Sequence, residues 1–557
     1  MRRGDLSAEN RQALFQQWVE GYFELSYLYI KRTRPFDAFR LAEMSKARTL
    51  LESLTHKRAA QHSGLSAEEQ AQLQDYEARL ALFNNRIAKA LDEKRYDEKM
   101  RLETEKNQVV SQFNQFHSAL MAKYPKYAQL SEVKIVEAKA GAQYLPTDAV
   151  LISYFVNGNN VLAFTLQSDG QLTAHNLGQI SALTDDVADY RRQLSLFGAV
   201  KGEQVVLEKD SEPVKGRQID LSDKPQKDRL TLSSELGMQL LAPLKEIIGD
   251  KPRWIISPDG PLALIPFETL RFVGEEAPVI AEHDISYVQS LSVLKLLQER
   301  GKAYQDITNR GTLLAMGAPL YHAPPAVTQP PSQVDFNIAR HLVLRDSAPE
   351  AYARAFRQLN LPWKNLPGAK KELERLEKLF FFKTHRLRIY KEAEATEANL
   401  QRLNQFGILA KYRYLLFSAH GYLSTDVPAL SAIVLGQVDN PAGIDGYVTA
   451  GEWPGYDLKS DLMVLSACET GVGKVVSGEG VMGLPYAFYV AGNKNTLLTL
   501  WAVSDEVTAE FIVSFFKKLK AGQGQIEALT ATKREFINKG GPYNNPVYWA
   551  AFLLYGV

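Results

Sequence analysis

The sequence predicts an α/β protein: three layers around a mostly parallel sheet, preceded by an all-helical region. Three observations carry this. Residues 1 to about 130 show apolar positions at helical spacing almost throughout. From about residue 145, short apolar runs bounded by Gly, Pro, Asn and Asp take over. From about residue 312, such runs alternate with helix-length segments, the order that builds a parallel sheet covered by helices.

In the helical region, one periodic segment spans about 11–31 and breaks at Arg34-Pro35; a second runs from Phe36 through Leu41 and Met44 to Leu54. The pair resembles one helix–turn–helix unit of a tetratricopeptide array. A single unit cannot stack on itself, so either it caps the next segment or it ends a longer array. Leu73, Tyr76, Leu80, Phe83, Ile87 and Leu91 then step by three and four, and Leu102, Val109, Phe113, Phe116 and Leu120 continue the stripe. Two long antiparallel helices turning near 92–97, or one long bent helix, satisfy this pattern. The charge run between them, Asp92 to Lys99, reads as a solvated helical face.

Val150–Phe155 and Val161–Leu166 flank Asn157-Gly158-Asn159-Asn160, a hairpin signal. Helical patterns follow at about 181–195 and 230–249, then the run Trp254-Ile255-Ile256, the turn Pro258-Asp259-Gly260 and Leu262–Phe267. Beyond a strand at 312–317, the spacing predicts helices at 369–380, 396–406, 479–491, 504–520 and 525–537. Between and after them it predicts strands at 386–390, 412–417, 461–466 and 496–501, with a closing strand Trp549–Tyr555. Lys201 to Arg229 is polar, and His322 to Pro362 begins rich in proline; both read as exposed loops, open to cleavage or regulation.

The 557 residues are enough for three or four domains, and the composition is that of an ordinary soluble protein. A net charge of +1 argues for neither a nucleic-acid nor a membrane partner. The single cysteine excludes an intrachain disulfide and a cysteine-cluster zinc site. The first residues are polar, without the apolar core of a signal peptide, so the expected compartment is the cytoplasm.

That one cysteine, Cys468, follows Leu462-Met463-Val464-Leu465 within Ser466-Ala467-Cys468-Glu469-Thr470-Gly471. Another apolar run, Tyr414 to Phe417, leads into Ser418-Ala419-His420-Gly421. In parallel α/β sheets, functional residues gather beyond the carboxyl ends of the strands, where both fall. A thiolate is a competent nucleophile, and an imidazole can protonate a leaving amine. The backbone N–H groups of Gly421 and Cys468 could serve a developing oxyanion. Spacing alone leaves the alternative open, an inert cysteine and a capping histidine.

The C-terminal part resembles the CHAT domain, a caspase-like domain associated with tetratricopeptide repeats, in the clan of caspases, separase and gingipains. The matching pieces are Leu366-Pro367-Gly368-Ala369 with Glu372, Ala395-Thr396-Glu397-Ala398, Ser418-Ala419-His420-Gly421, Asp461 to Gly471 and Gly478-Glu479-Gly480. Tyr486-Ala487-Phe488 with Ala491-Gly492, Leu500 to Asp505 and Pro546 to Phe552 complete the set. The resemblance covers about 305–557, with weaker similarity back to about 145.

It implies a caspase-like three-layer sandwich with a non-catalytic caspase-like half (131–300) joined to a catalytic half (301–557), after a helical region (1–130). It implies a cysteine endopeptidase with Cys468 as nucleophile, His420 as acid and base, an oxyanion hole at Gly421 and Cys468, and no third catalytic residue or cofactor. By the same likeness, Ser466 lines the first specificity pocket, the stretch Trp501 to Asp505 forms its other wall, and Asp505 would select a basic side chain. Alternatives stand beside these: Ser504 as a helix cap with Asp505 and Glu506 at the positive helix end, and Trp501 as core packing.

Relatives act on protein substrates, gasdermin-like pore formers and other defence proteins among them. They are often activated by a partner through the helical repeats, so a protein substrate and an activating protein at the N-terminal helices are the expected partners in a bacterial defence setting. A CHAT-like scaffold with an idle dyad is the competing class. No metal-ligand spacing surrounds the other histidines: His56, His62 and His117 read as solvent-facing, and His322 falls in the proline-rich loop. Gly478, Gly480 and Gly483 lack the lysine of a phosphate loop and read as the turn into an apolar helix.

Overall fold

The computed structural model describes residues 8–46, 95–124, 135–195, 227–321, 363, 365–381, 386–422, 431–441, 444–466, 474–476, 480–501 and 503–557, with 51 and scattered positions from 65 to 83. The helical region opens with α1 (Ala8–Lys31) and α2 (Pro35–Ser45). Pro35 takes the first turn of α2, where its missing N–H leaves no bond unmade. Phe23 and Phe39, from the two helices, meet Phe155 and Phe164 of the sheet edge to face at 5.3 and 5.5 Å, so the hairpin buries its apolar side there.

The next helix, α3 (Tyr96–Lys123), lies antiparallel to the helical positions between 65 and 83. Glu69 bonds Lys123 and Tyr124 at its far end (2.8 and 2.9 Å), while Tyr76 packs on Phe113 and Phe116 nearer its middle. These contacts set the two stretches antiparallel; the expected turn near 92–97 lies outside the described residues up to residue 94. Its apolar core, including Leu73, Phe83, Leu102 and Phe113, is separate from that of the sheet.

The chain then enters β1 (Ala149–Asn157), β2 (Asn160–Gln167) and β3 (Leu172–Gln179), followed by α4 (Leu183–Ser195) and α5 (Arg229–Leu240). β4 (Arg253–Ser257), β5 (Asp284–Tyr287), α6 (Leu291–Gln305), β6 (Gly311–Pro319), α7 (Pro367–Phe380), β7 (Leu387–Glu392) and α8 (Glu397–Gln405) come next. β8 (Tyr412–Ser418) leads into three short strands, β9 (His420–Tyr422), β10 (Ala432–Val434) and β11 (Tyr447–Thr449). β12 (Leu462–Ser466), the hairpin β13 (Lys474–Val476) and β14 (Gly480–Met482), and α9 (Leu484–Ala491) follow. β15 (Thr496–Thr499), α10 (Asp505–Lys520), α11 (Gln525–Lys539) and β16 (Phe552–Tyr555) complete the order.

Eleven of these strands form one sheet in the order β3-β2-β1-β4-β5-β16-β15-β12-β8-β6-β7. The pairs from β1 to β16 and from β15 to β7 are parallel; β16 against β15 and the β1–β3 meander are antiparallel. The sheet is therefore one continuous ladder, with β16 as the joining strand. Alternate residues serve two cores: Ala315, Leu416 and Val464 face Leu373 of α7 and Phe515 of α10, while Met316, Phe417 and Leu465 face Trp453 and Phe488. This is the predicted three-layer arrangement.

At the joining strand, Tyr287 of β5 stacks on Tyr555 of β16 with centroids 5.3 Å apart. The Tyr287 hydroxyl donates to the Glu268 carboxylate, whose other oxygen accepts from Lys533 Nζ of α11 at 2.7 Å. Both charged side chains are fully buried.

At the first end of the sheet, Ser153 of β1 stands opposite Ser257 of β4. Lys46, buried just after α2, donates to both hydroxyls at 2.9 and 3.0 Å and to the Ser257 carbonyl at 3.1 Å. Burial lowers its ammonium to about 8, against the pull of Asp259 and Glu43.

Helix α6, strands β3 and β5, and the β9–β11 sheet were not expected from the sequence. α9 begins at Leu484 rather than near 479, because Met482 still belongs to a strand. The loop Lys201–Arg229 lies outside the described residues except for 227–229, and His322–Pro362 lies outside them altogether. No described helix is long and apolar enough to cross a membrane.

Candidate active site

Strands β8 and β12 run side by side and parallel, with Ser418 opposite Ser466 at their carboxyl ends. The chain continues through buried Ala419 to His420 on one strand, and toward Cys468 on the other. Cys468 itself lies outside the described residues.

His420 opens β9, paired with Val434 of β10, and the neighbouring Gly421 pairs with Ile433. Its backbone N–H donates to the Tyr321 hydroxyl at 3.2 Å, and that hydroxyl donates to the Val434 carbonyl at 2.9 Å. Tyr321 thus fixes the start of β9 from the end of β6. The imidazole is half-buried against the Tyr321 and Trp363 rings, at centroid distances of 5.1 and 5.0 Å. Trp363 is itself oriented by its Nε1–H, which donates to the Tyr447 hydroxyl at 2.7 Å. Both rings lie tilted to the imidazole, at 52° and 31°, and hold it from two sides.

Ser466 is buried, and its hydroxyl donates to Glu372 Oε2 of α7 at 2.7 Å. Glu372 is 1 % exposed, and burial pushes its carboxyl up to about 8, against the bias of the Ser466 and Ser418 hydroxyls. The Ser418 hydroxyl is close enough to favour the charged form yet makes no bond of good geometry.

Asp505 sits at the start of α10, where Ser504 caps the helix by accepting the Val507 N–H at 3.4 Å. The Asp505 carboxylate turns to α7, accepting the backbone N–H of Gly368 at 2.5 Å. Burial raises its carboxyl, while the Gly368 and Ala369 N–H groups and the nearby His420 charge lower it. Asp505 therefore serves the amino ends of two helices and lies within electrostatic reach of the imidazole.

Gly368 makes the approach: a Cβ there would come within 2.5 Å of the Asp505 carboxyl carbon. Helix propensity alone predicts that Gly368→Ala gains up to about 1 kcal/mol. The clash predicts the opposite sign, and a loss of about 1–3 kcal/mol in denaturant unfolding is expected.

Trp501 is 2 % exposed in the main core, and its Nε1–H donates to the Val547 carbonyl at 2.9 Å. The structure thus brings His420, Asp505 and Ser466 to one end of β8 and β12, and sets Trp501 in the packing beneath. Glu372, Tyr321 and Trp363 were not read as site residues. For Glu372 a signal existed. Ala369, Glu372, Leu373, Leu376 and Phe380 share one helical stripe, so a carboxyl stood on the apolar face. Among the described residues, no cluster of His, Cys, Asp and Glu could hold a metal ion.

Against known proteins, the CHAT domain family model matches residues 230–557. No curated protein matches the chain. Among solved structures, the chain is similar to the Saccharomyces cerevisiae separase–securin complex in two crystal structures. The 2.6 Å structure gives 12 % identity and a TM-score of 0.41, and the 3.0 Å structure gives 11 % and 0.40. Each alignment covers 99 % of this chain and 40 % of that one, so this chain spans well under half the length of those it matches. The family match extends upstream of the motifs, through α5, β4 and β5, and takes in more than half of the residues. On that match the chain belongs to the CHAT domain family of caspase-like peptidases.

Proposed function

We propose that the protein is a cysteine endopeptidase that cleaves protein substrates with Cys468 as nucleophile and His420 as its acid and base. The observation that carries the reading is the register of β8 and β12. Ser418 and Ser466 are direct partners, so the chain reaches His420 and Cys468 from neighbouring strand ends two residues later. Adjacent strands lie about 4.8 Å apart, within the span that a thiol–imidazole pair needs. His420 donates its proton to the leaving amine after the thiolate attacks the scissile carbonyl. The backbone N–H groups of Gly421 and Cys468 are assigned to the oxyanion.

Substrate preference is proposed to be a basic side chain, in a pocket bounded by Ser466, the Trp501–Asp505 stretch and the Asp505 carboxylate. Support for this part is electrostatic. Asp505 is the acidic group beside His420, although two backbone N–H groups already occupy it. Activation by a protein partner at the N-terminal helices belongs to the same proposal, as do the cytoplasmic setting and the division near residues 130 and 300. Its support is the packing of α1 and α2 on the sheet that also carries β8 and β12.

The test is a panel of peptide reporters with Arg, Lys, Asp or Leu before the scissile bond, run on wild type and Cys468→Ala. Cleavage after Arg or Lys that Cys468→Ala lowers by about a thousandfold or more is expected. Absence of cleavage of every peptide and of partner proteins would leave the scaffold class standing. Cleavage that is indifferent to Asp505→Ala would remove the pocket assignment and spare the dyad.

A further inference from the structure

We propose that Glu372 is a positioning residue for this chemistry: from α7 its carboxyl ties together the ends of β8 and β12, the strand ends that lead into His420 and Cys468. The proposal rests on the peptidase reading above. Four observations meet at this point. Glu372 is almost wholly buried. Its Oε2 accepts the Ser466 hydroxyl at 2.7 Å. Its Oε1 and the buried Ser418 Oγ both lack a hydrogen-bond partner. Ser418 and Ser466 are register partners, each two residues before the residue assigned to catalysis.

A buried carboxylate with two neutral hydroxyls would carry a large desolvation cost, so the neutral acid is the form the site favours. A neutral acid can accept from Ser466 through one oxygen and donate to Ser418 through the other, which a carboxylate cannot do. It then acts as a clamp with one contact on each strand. Of the elements packed around it, β8 and β12 offer hydroxyls, and α10 offers Asp505, whose charge raises the Glu372 carboxyl and which is itself biased by His420.

A purely structural role would also leave Glu372 buried and bonded, so the test needs a readout that stability does not move. Glutamine can accept and donate as the neutral acid does, without titrating. Glu372→Ala is expected to lower kcat by about tenfold to a hundredfold with KM within about twofold, and Glu372→Gln to restore it to within about threefold. On the alkaline side, wild-type kcat should fall with a midpoint near 8 as the clamp ionises, and Glu372→Gln should lose that limb.

Because the chain has one cysteine, the rate of alkylation of folded protein by iodoacetamide against pH reports the same geometry without any substrate. Glu372→Ala should shift that profile and Glu372→Gln should restore it, with thermal melting confirming that each variant is folded. Should Glu372→Ala fail to fold, Ser466→Ala takes its place, with the same direction expected. Wild-type cleavage with a normal Glu372→Ala kcat, or an alkaline limb unchanged in Glu372→Gln, overturns the clamp while leaving the peptidase reading intact. An alkylation profile that responds as expected in a protein that cleaves nothing keeps the clamp and overturns the peptidase reading.

Discussion

Replacing Lys533 by alanine is expected to remove about 3–5 kcal/mol of folding stability. The lysine comes from α11, is fully buried, and its Nζ lies 2.7 Å from Glu268 Oε1. Burial lowers its ammonium pKa, opposed by the Glu268 charge and hydrogen bond. Alanine would leave Glu268 as a buried carboxylate supported by the Tyr287 hydroxyl alone. Breaking one side of a buried pair is costly because the remaining charge keeps its desolvation penalty. Replacing both partners, as Lys533→Met with Glu268→Gln, should recover most of the loss. Denaturant midpoints of the three proteins at one pH measure this, and a loss below about 1 kcal/mol for Lys533→Ala would rule out a closed ion pair. The effect should be global, since the pair braces the Tyr287–Tyr555 stack where β5 meets β16.

Stability is also expected to fall as pH rises from about 5 to about 8, over the range where many proteins are most stable. Burial pushes the carboxyls of Glu372 and Glu397 up to about 8 and that of Glu452 up to about 7. For Glu397 and Glu452, neighbouring acids add to the shift. Their unfolded values stay near 4.5. The folded chain therefore holds protons that the unfolded chain releases. Its advantage is complete below about 4.5 and is lost as pH passes the folded values. Each such group contributes a slope of about 1.4 kcal/mol per pH unit at most. His175 and His283, lowered by burial, act in the opposite sense at and below the ordinary histidine range. Lys46, lowered to about 8, adds stability only as pH climbs above that value. Unfolding curves at pH 5, 6, 7 and 8 should show the decline, and Glu397→Gln should flatten it by about 1 kcal/mol per unit. A wild-type curve that rises steadily through this window would refute the buried neutral carboxyls.

The elements easiest to read were those whose signal is local. Tyr412–Ser418 and Leu462–Ser466 are unbroken apolar runs, and their ends mark the site. Ser504 before Asp505 and Glu506 is a helix start that a short window contains, and it caps α10. What escaped depends on distant partners. β5 is four residues long and gains its identity from β4 on one side and β16, more than 260 residues later, on the other. α6 concentrates its buried Leu291, Val293, Leu294 and Leu297 in its first half, so no full-length stripe appears. Ser290 caps it by accepting the Val293 N–H at 3.2 Å. Among site residues, His420 was visible as a polar stop on a strand. Glu372 was not, nor were Lys46 and Lys533 away from the site, because a charged residue is assigned to solvent by default. Glu372 and Lys533 do stand on the apolar stripe of their helices, and that misfit is the readable sign of a buried charge.

β16 stands sixth among the eleven strands of the main sheet, yet it is the last of them in the chain. The ribosome therefore makes the middle of the sheet after its other ten strands. Until residues 552–555 emerge, a nascent chain holds two part-sheets with open edges at β5 and β15, hydrogen-bonding groups exposed on both. Joining them waits for translation to reach that strand. A chain assembled in this order keeps its two part-sheets unjoined until that strand is made, and its open edges call for chaperones until then.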